Sequence, residues 1–233
     1  MFSSPIWLPA TLVAGALQAW RTAVQRRVSE SLSLNGAGLV RYLYGMPFMT
    51  ALLALYLVVF PTPWPRLNAD FLLFCGAGGL AQIIATNLLI SAFRYRNFVV
   101  GTAYSKTEAA QGAVLSFFLL GETLPPLSWA GIACGVAGVM LLSTGGRKLG
   151  LWDFVRALGQ PAAVTGIASG FFFALTAIGI RRATQAVDTP DPVLAALIVL
   201  AVTVPMQTVL QGGWLLWREP GEMRRVFSSW RVS

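Results

Sequence analysis

Residues 192–216 read PVLAALIVLAVTVPMQTVLQGGWLL, without one ionisable side chain. An α-helix rises about 1.5 Å per residue, and roughly 20 apolar residues cross the hydrocarbon of a bilayer. This run is long enough. Working outward, comparable runs occupy 161–180, 125–144, 98–120, 70–92, 35–60 and 6–25, making seven apolar spans. Of the 233 residues, 56% are hydrophobic and 11% charged, less than half the roughly 25% charge of a soluble domain. So little charge cannot clothe a water-facing surface. The expected fold is all-α, a polytopic transmembrane helix bundle.

The net charge is +8, which in a soluble chain would raise nucleic acid as a partner. Here the basic residues fall in pairs between spans: Arg26-Arg27, Arg94 with Arg96, Arg147-Lys148, Arg181-Arg182 and Arg224-Arg225. That placement reads as topology determinants beside anionic lipid, so the partner is the bilayer and no nucleic acid is expected. Connections 1–2, 3–4 and 5–6 with the C-terminal tail hold eleven Lys/Arg, against three (Arg66, Arg181, Arg182) on the opposite side. The charge count therefore puts the N-terminus outside. The opening MFSSPIWLPATLVAGALQAW lacks the basic n-region of a signal peptide and reads as a retained first span.

Histidine is absent, and the two cysteines, Cys75 and Cys134, lie inside apolar spans. These facts remove Ser-His and Cys-His nucleophilic chemistry and leave no metal-ligating set. No phosphate-cradling loop is present, so neither catalytic residues nor a cofactor or metal is expected. A transporter of a small molecule is favoured over a membrane-embedded enzyme, a lipid-handling protein or a non-catalytic membrane subunit.

An internal repeat organises the chain. Arg26-Arg27 at the end of the first span recurs as Arg181-Arg182 at the end of the sixth, 155 residues on. Pro47 in the second span recurs as Pro205 in the seventh, 158 residues on. The unit is then five spans, and an odd number inverts the second copy relative to the first, as in many secondary transporters. The expected division is a first repeat over 1–146, a connection over 147–159 and two spans of a second repeat over 160–233. The counterparts of spans three to five would fall past Ser233, so the repeat predicts seven visible spans of ten, in a protein of about 300 residues. In the connection, Leu151, Trp152, Phe154, Val155 and Leu158 form an apolar stripe flanked by Lys148 and Arg156, the pattern of a helix lying in the membrane interface.

Residues 103–143, AYSKTEAAQGAVLSFFLLGETLPPLSWAGIACGVAGVMLLS, end one span at Leu120-Gly121-Glu122 and open a glycine-rich one after Pro125-Pro126. This stretch resembles the EamA-like family of the drug/metabolite transporter superfamily. The resemblance implies ten helices in two inverted repeats, a central substrate cavity and alternating access, in a multi-pass protein of a bacterial inner (plasma) membrane. It also implies cytoplasmic termini, opposite to the charge count. Where the family often has a proline midway along the fourth span, this chain has Lys106-Thr107-Glu108.

Ionisable groups inside a span cost about 2.5–3.5 kcal/mol each even on lenient scales. Glu108 is the one acid deep in a span. In a continuous helix Tyr104, Glu108 and Gln111 share a face at i, i+4 and i+7, with Lys106 roughly 200° away from Glu108. These four are candidate substrate-pathway residues. Glu108 would take a cationic group or a coupling proton, and Lys106 a substrate carboxylate. The competing reading is a polar cluster that only ties helices together. Arg21 and Arg41 lie a turn or two inside their spans and either snorkel to the interface or form a basic cavity wall. Gln18 and Asn87 are further cavity candidates, or interhelical hydrogen-bonding groups. Gly131, Gly135 and Gly138 give the fifth span a small-residue face for close packing, between two protomers of a homodimer or two spans of one protomer. Pro47 and Pro205 are hinges or fixed kinks.

Overall fold

A computed structural model describes residues 7–95, 98–121, 123–143 and 159–229. These residues form helices α1 (Trp7–Ser31), α2 (Leu34–Val59), α3 (Ala69–Phe93), α4 (Phe98–Ser105), α5 (Glu108–Leu120) and α6 (Pro126–Ser143). After the connection come α7 (Pro161–Gln185), α8 (Pro192–Arg218) and the short α9 (Glu222–Ser228). No strand occurs among the described residues, and the architecture is the expected polytopic helix bundle. The predicted interfacial helix of 147–159 lies almost wholly outside the described residues.

Local chemistry explains the boundaries. Ser33 Oγ accepts from the Gly36 amide at 3.0 Å, and Asn68 Oδ1 accepts from Phe71 at 2.8 Å. Each thereby satisfies an N–H that the first helical turn leaves free. Asp191 Oδ1 caps α8 through Val193 at 2.9 Å and Leu194 at 3.2 Å. Proline opens α6, α7 and α8. Gly121, at φ +65°, ends α5 in the left-handed conformation that glycine adopts without steric cost.

Among the described residues, four helices are long and apolar enough to cross a membrane: α2, α3, α7 and α8. The other three predicted spans take different forms. α1 extends past residue 25 to carry Arg26 and Arg27 as well as Arg21. The apolar part of α6, Pro126–Gly138, is shorter. The fourth span, expected as one helix over 98–120, is broken into α4 and α5 at Lys106-Thr107.

Hydrogen bonds between helices set their directions. Tyr56 Oη, near the end of α2, donates to Asp191 Oδ2 at the start of α8 at 2.6 Å. Glu222, just past the end of α8, accepts from the Ser33 amide at the start of α2. The pair is therefore antiparallel. α3 and α7 are antiparallel too, since Gly78 meets Gly179 while Ser169 Oγ donates to the Ala85 carbonyl at 2.8 Å. Arg26, Arg27, Arg94, Arg218, Arg224 and Arg225 gather at one end, hereafter the basic end. Asp70, Asp188 and Asp191 share the other end with Arg66, Arg181 and Arg182.

Two buried clusters tie the ends together. At the basic end Val28, Leu32, Leu39, Val40, Ile90, Leu215 and Val226 pack together. At the other, Leu53, Phe71, Cys75, Ala183, Leu194 and Ile198 do so. Outward-facing positions are apolar as well, among them Leu55, Val58, Leu72, Leu73, Val209 and Leu216, as befits a surface solvated by lipid tails. Arg218 sits over Trp217 at 4.4 Å and Trp214 at 5.2 Å, the cation–aromatic arrangement of a membrane interface.

α7 makes the most intimate contacts through small residues on two faces: Ser169, Gly179 and Ala183 lie against α3, while Ala163, Gly166 and Gly170 lie against α4 and the start of α5. A Cβ at Gly166 would stand 2.5 Å from the Gly101 carbonyl oxygen, and one at Gly179 would stand 2.9 Å from Gly78 Cα. Backbones that approach this closely are how helices gain packing energy in lipid, where no hydrophobic drive separates tail from side chain. On α6 the same spacing has a different outcome, for added Cβ atoms at Gly131, Gly135 and Gly138 would meet nothing within 4 Å. The packing of that face against another span of this chain, one of the two expected uses, is not found among the described residues, because none of their atoms lies within 4 Å of those positions.

Asp191 carries a pH prediction. The Tyr56 hydroxyl, foremost, and the Leu194 and Val193 amides hold its carboxyl below the usual range, against an opposing desolvation. A depressed folded-state pKa means stability that is present above the unfolded value, about 3.9, and is lost as pH falls through the folded value. Asp191→Asn, which keeps the cap acceptor, is expected to lower the thermal midpoint in detergent at neutral pH. The two midpoints should converge as pH drops below about 4. A constant gap across that range would remove the ionised carboxylate from the account.

Candidate functional site

The break between α4 and α5 positions the site. Lys106 N bonds the Ala103 carbonyl at 3.0 Å and Thr107 N the Tyr104 carbonyl at 3.1 Å, the tighter i→i+3 pattern. Thr107 Oγ1 also donates to the Tyr104 carbonyl at 2.7 Å, so a side chain replaces backbone in the ladder. The break rests on α7 where it is thinnest, for a Cβ at Gly170 would stand 2.9 Å from the Ser105 carbonyl oxygen. Ser105 Oγ and Ser169 Oγ lie 3.4 Å apart in the same layer. Irregular backbone at membrane depth is tolerated where protein buries it or where it lines a cavity; both hold here.

This break overturns the expected shared face of Tyr104, Glu108 and Gln111. Tyr104 is buried against Ala162 and Ala163, with Ile167 beside them. Gln111 Nε2 donates to Thr107 Oγ1 at 2.8 Å and the Ile167 carbonyl at 3.2 Å. Glu108 alone of the three lines the large cavity. The i, i+4, i+7 rule presumes an unbroken helix, and Thr107 removes that condition.

The cavity encloses about 800 Å³, within the range of small-molecule sites. Its floor lies mid-bundle at Arg21, Arg41, Gln82 and Glu108. From there α1 contributes Gln18, Leu17 and Ala14, α5 contributes Ala109, Gly112 and Ser116, α7 runs from Phe173 to Arg181, and α8 adds Val204, Thr203 and Leu200. All four walls lead away from the basic end. A small pocket of about 20 Å³ continues below the floor, where Lys106, Thr102 and Ser105 join Gln18, Arg21, Arg41 and Glu108.

Arg41 is held in place: its Nη1 donates to Thr86 Oγ1 at 3.1 Å, and its Cζ lies 5.6 Å from the Tyr42 ring centre. Tyr42 Oη stands 3.1 Å from that same Thr86 oxygen and 3.2 Å from the Gln82 carbonyl. Among the described residues Arg21, Arg41, Lys106 and Glu108 form no ion pair. Arg21 and Arg41 thus face a shared cavity with an acid.

Asn87 lies elsewhere, in a polar chain at the basic end. Gln211 Nε2 donates to the Asn35 carbonyl at 3.0 Å and Asn87 Oδ1 at 3.1 Å, and Asn35 Nδ2 donates to Glu219 Oε1 at 2.8 Å. One turn towards the middle, Gln207 Nε2 donates to Gln82 Oε1 at 2.7 Å and the Gly79 carbonyl at 3.0 Å. Sequence reading passed over Gln82, Gln207 and Gln211, although amides four residues apart inside an apolar run are themselves a signal of a polar helix contact.

The model of the EamA-like transporter family matches residues 5–144, well over half of the chain. The chain belongs to the EamA-like transporter family. No curated protein and no solved structure matches it. Its place in the EamA-like family makes it kin to membrane transporters, and the matched stretch contains Arg21, Arg41, Lys106 and Glu108, the charged residues around the cavity floor.

Proposed function

We propose that this protein carries a small metabolite or amphiphilic compound across a plasma membrane by alternating access, binding it at the cavity floor formed by Arg21, Arg41 and Glu108. The observation that carries this reading is a cavity of about 800 Å³ whose floor places Arg21, Arg41 and Glu108, in no ion pair among the described residues, beside a helix break. Charges inside a membrane bundle persist where a function repays their desolvation, and transporters build sites from discontinuous helices. With the basic end cytoplasmic, the cavity opens to the outside. The Asn35–Asn87–Gln211–Glu219 chain and the apolar cluster around it then close the inner side. Repeat-related Pro47 and Pro205 lie within α2 and α8, which are packed on each other, so bending there would open one end as it closes the other.

The test is flux of radiolabelled small solutes into proteoliposomes carrying the full chain. Glu108→Gln, which removes an acid from the floor, is expected to change the rate about tenfold or more, the scale of one charged contact. An unchanged rate would leave Glu108 a structural residue. Catalytic turnover of a solute without flux would overturn the transport reading.

A further inference from the structure

The charges around the floor are unequal in number. The floor of the large cavity sets Arg21 and Arg41 against Glu108, and the pocket beneath adds Lys106. Three cations around one acid leave two positive charges in excess. α5 adds to the imbalance, since its first turn begins at Glu108 and presents Ala109 and Gly112 to the cavity. The start of a helix carries roughly half a positive charge, which Glu108 offsets alongside that of Arg21.

We infer that the cavity takes a small organic oxyanion, a carboxylate or phosphate ester, held by the guanidinium groups of Arg21 and Arg41. This reading deepens the transport proposal and rests on it for the location of the site. Glu108 at first suggests a cationic cargo. Placed between two arginines, with Lys106 beneath, a cation would meet net repulsion. An oxyanion instead neutralises the excess. Guanidinium is the group whose planar fork matches carboxylate and phosphate oxygens in pairs. The two arginines also differ in preparation. Arg41 is pre-set by Thr86 at 3.1 Å, whereas Arg21 makes no hydrogen bond among the described residues and keeps all its donors for a ligand. Gln18, one turn from Arg21 and on the cavity wall, adds an uncharged donor and acceptor for the remainder of the solute.

The experiment measures equilibrium binding to the purified full chain in nanodiscs made of zwitterionic lipid. The probes are succinate, inorganic phosphate and tetraethylammonium, each at low and high salt. Succinate or phosphate should bind at least about tenfold more tightly than tetraethylammonium and weaken as salt rises, as screened charge requires. Succinate ahead of phosphate assigns a carboxylate cargo, and the reverse order a phosphate ester; either supports the inference. Arg21→Gln, at a side chain that holds no other helix, should weaken the favoured anion about tenfold or more. Arg41→Lys should weaken it less than Arg41→Gln. Tighter binding of tetraethylammonium, no binding of either anion, or anion affinity untouched by Arg21→Gln would overturn the inference. Anion binding without flux in proteoliposomes would overturn the transport reading alone, and flux restricted to cations would overturn the anion reading alone.

Discussion

Gly179→Leu is expected to abolish the folded bundle. The added Cβ would fall 2.9 Å from Gly78 Cα, 3.2 Å from Gly78 N and 3.3 Å from the Phe74 carbonyl oxygen. All three are backbone atoms of α3, so no rotamer change relieves the contact and the helices must part. Overpacking against side chains costs about 1–3 kcal/mol. Parting two backbones also forfeits the dispersion contacts along the whole seam, a loss comparable to the total stability of a domain. Size-exclusion chromatography in mild detergent should show wild type as a single peak and Gly179→Leu as aggregate. Gly135→Leu is the control, because a side chain there meets nothing within 4 Å, and it should elute as wild type. A monodisperse Gly179→Leu with unchanged thermal midpoint would mean that the α3–α7 seam is not built as described.

Gln211→Leu is expected to destabilise the bundle by about 1–3 kcal/mol, the cost of leaving buried polar groups unpaired. Gln211 is 2% exposed, and its Nε2 serves both the Asn35 carbonyl and Asn87 Oδ1. Leucine matches its bulk but donates nothing. The site is tight as well: a Cβ on Gly38 would fall against Gln211 Nε2 and 2.7 Å from Asn87 Oδ1. Gln211→Glu keeps shape and loses the donor, so at neutral pH it should be at least as harmful as leucine. Thermal unfolding in detergent reads both. If Gln211→Leu raised the midpoint, the polar chain would be an expense of function rather than a support of the fold.

Much of the architecture was legible because lipid demands uninterrupted apolar length, and that demand is written residue by residue. Pro126 opens a helix as the sequence suggests, and Gly121 closes one. What stayed hidden depends on partners. Gly131, Gly135 and Gly138 share the three- and four-residue spacing of Ala163, Gly166 and Gly170, but spacing does not say which face another helix will cover. At the site, Glu108, Arg21, Arg41 and Gln18 stand at the cavity, while Tyr104, Gln111 and Asn87 serve packing and helix contacts. The difference turns on Thr107, whose hydroxyl competes for one carbonyl and rotates everything after it relative to everything before. That competition is local in energy yet invisible to a periodicity that assumes one helix.

The seam between α3 and α7 has a consequence for how the protein is made. Its two sides are separated by the whole of α4, α5 and α6, and α8 likewise finds its main partner in α2. Spans that leave the translocon in order must therefore wait in the bilayer, incompletely paired, until the ribosome has delivered residues past Gln185. The early helices have only slender contacts with one another to hold them meanwhile. Assembly of this protein is thus gated by synthesis: its first half becomes a bundle only when its second half arrives.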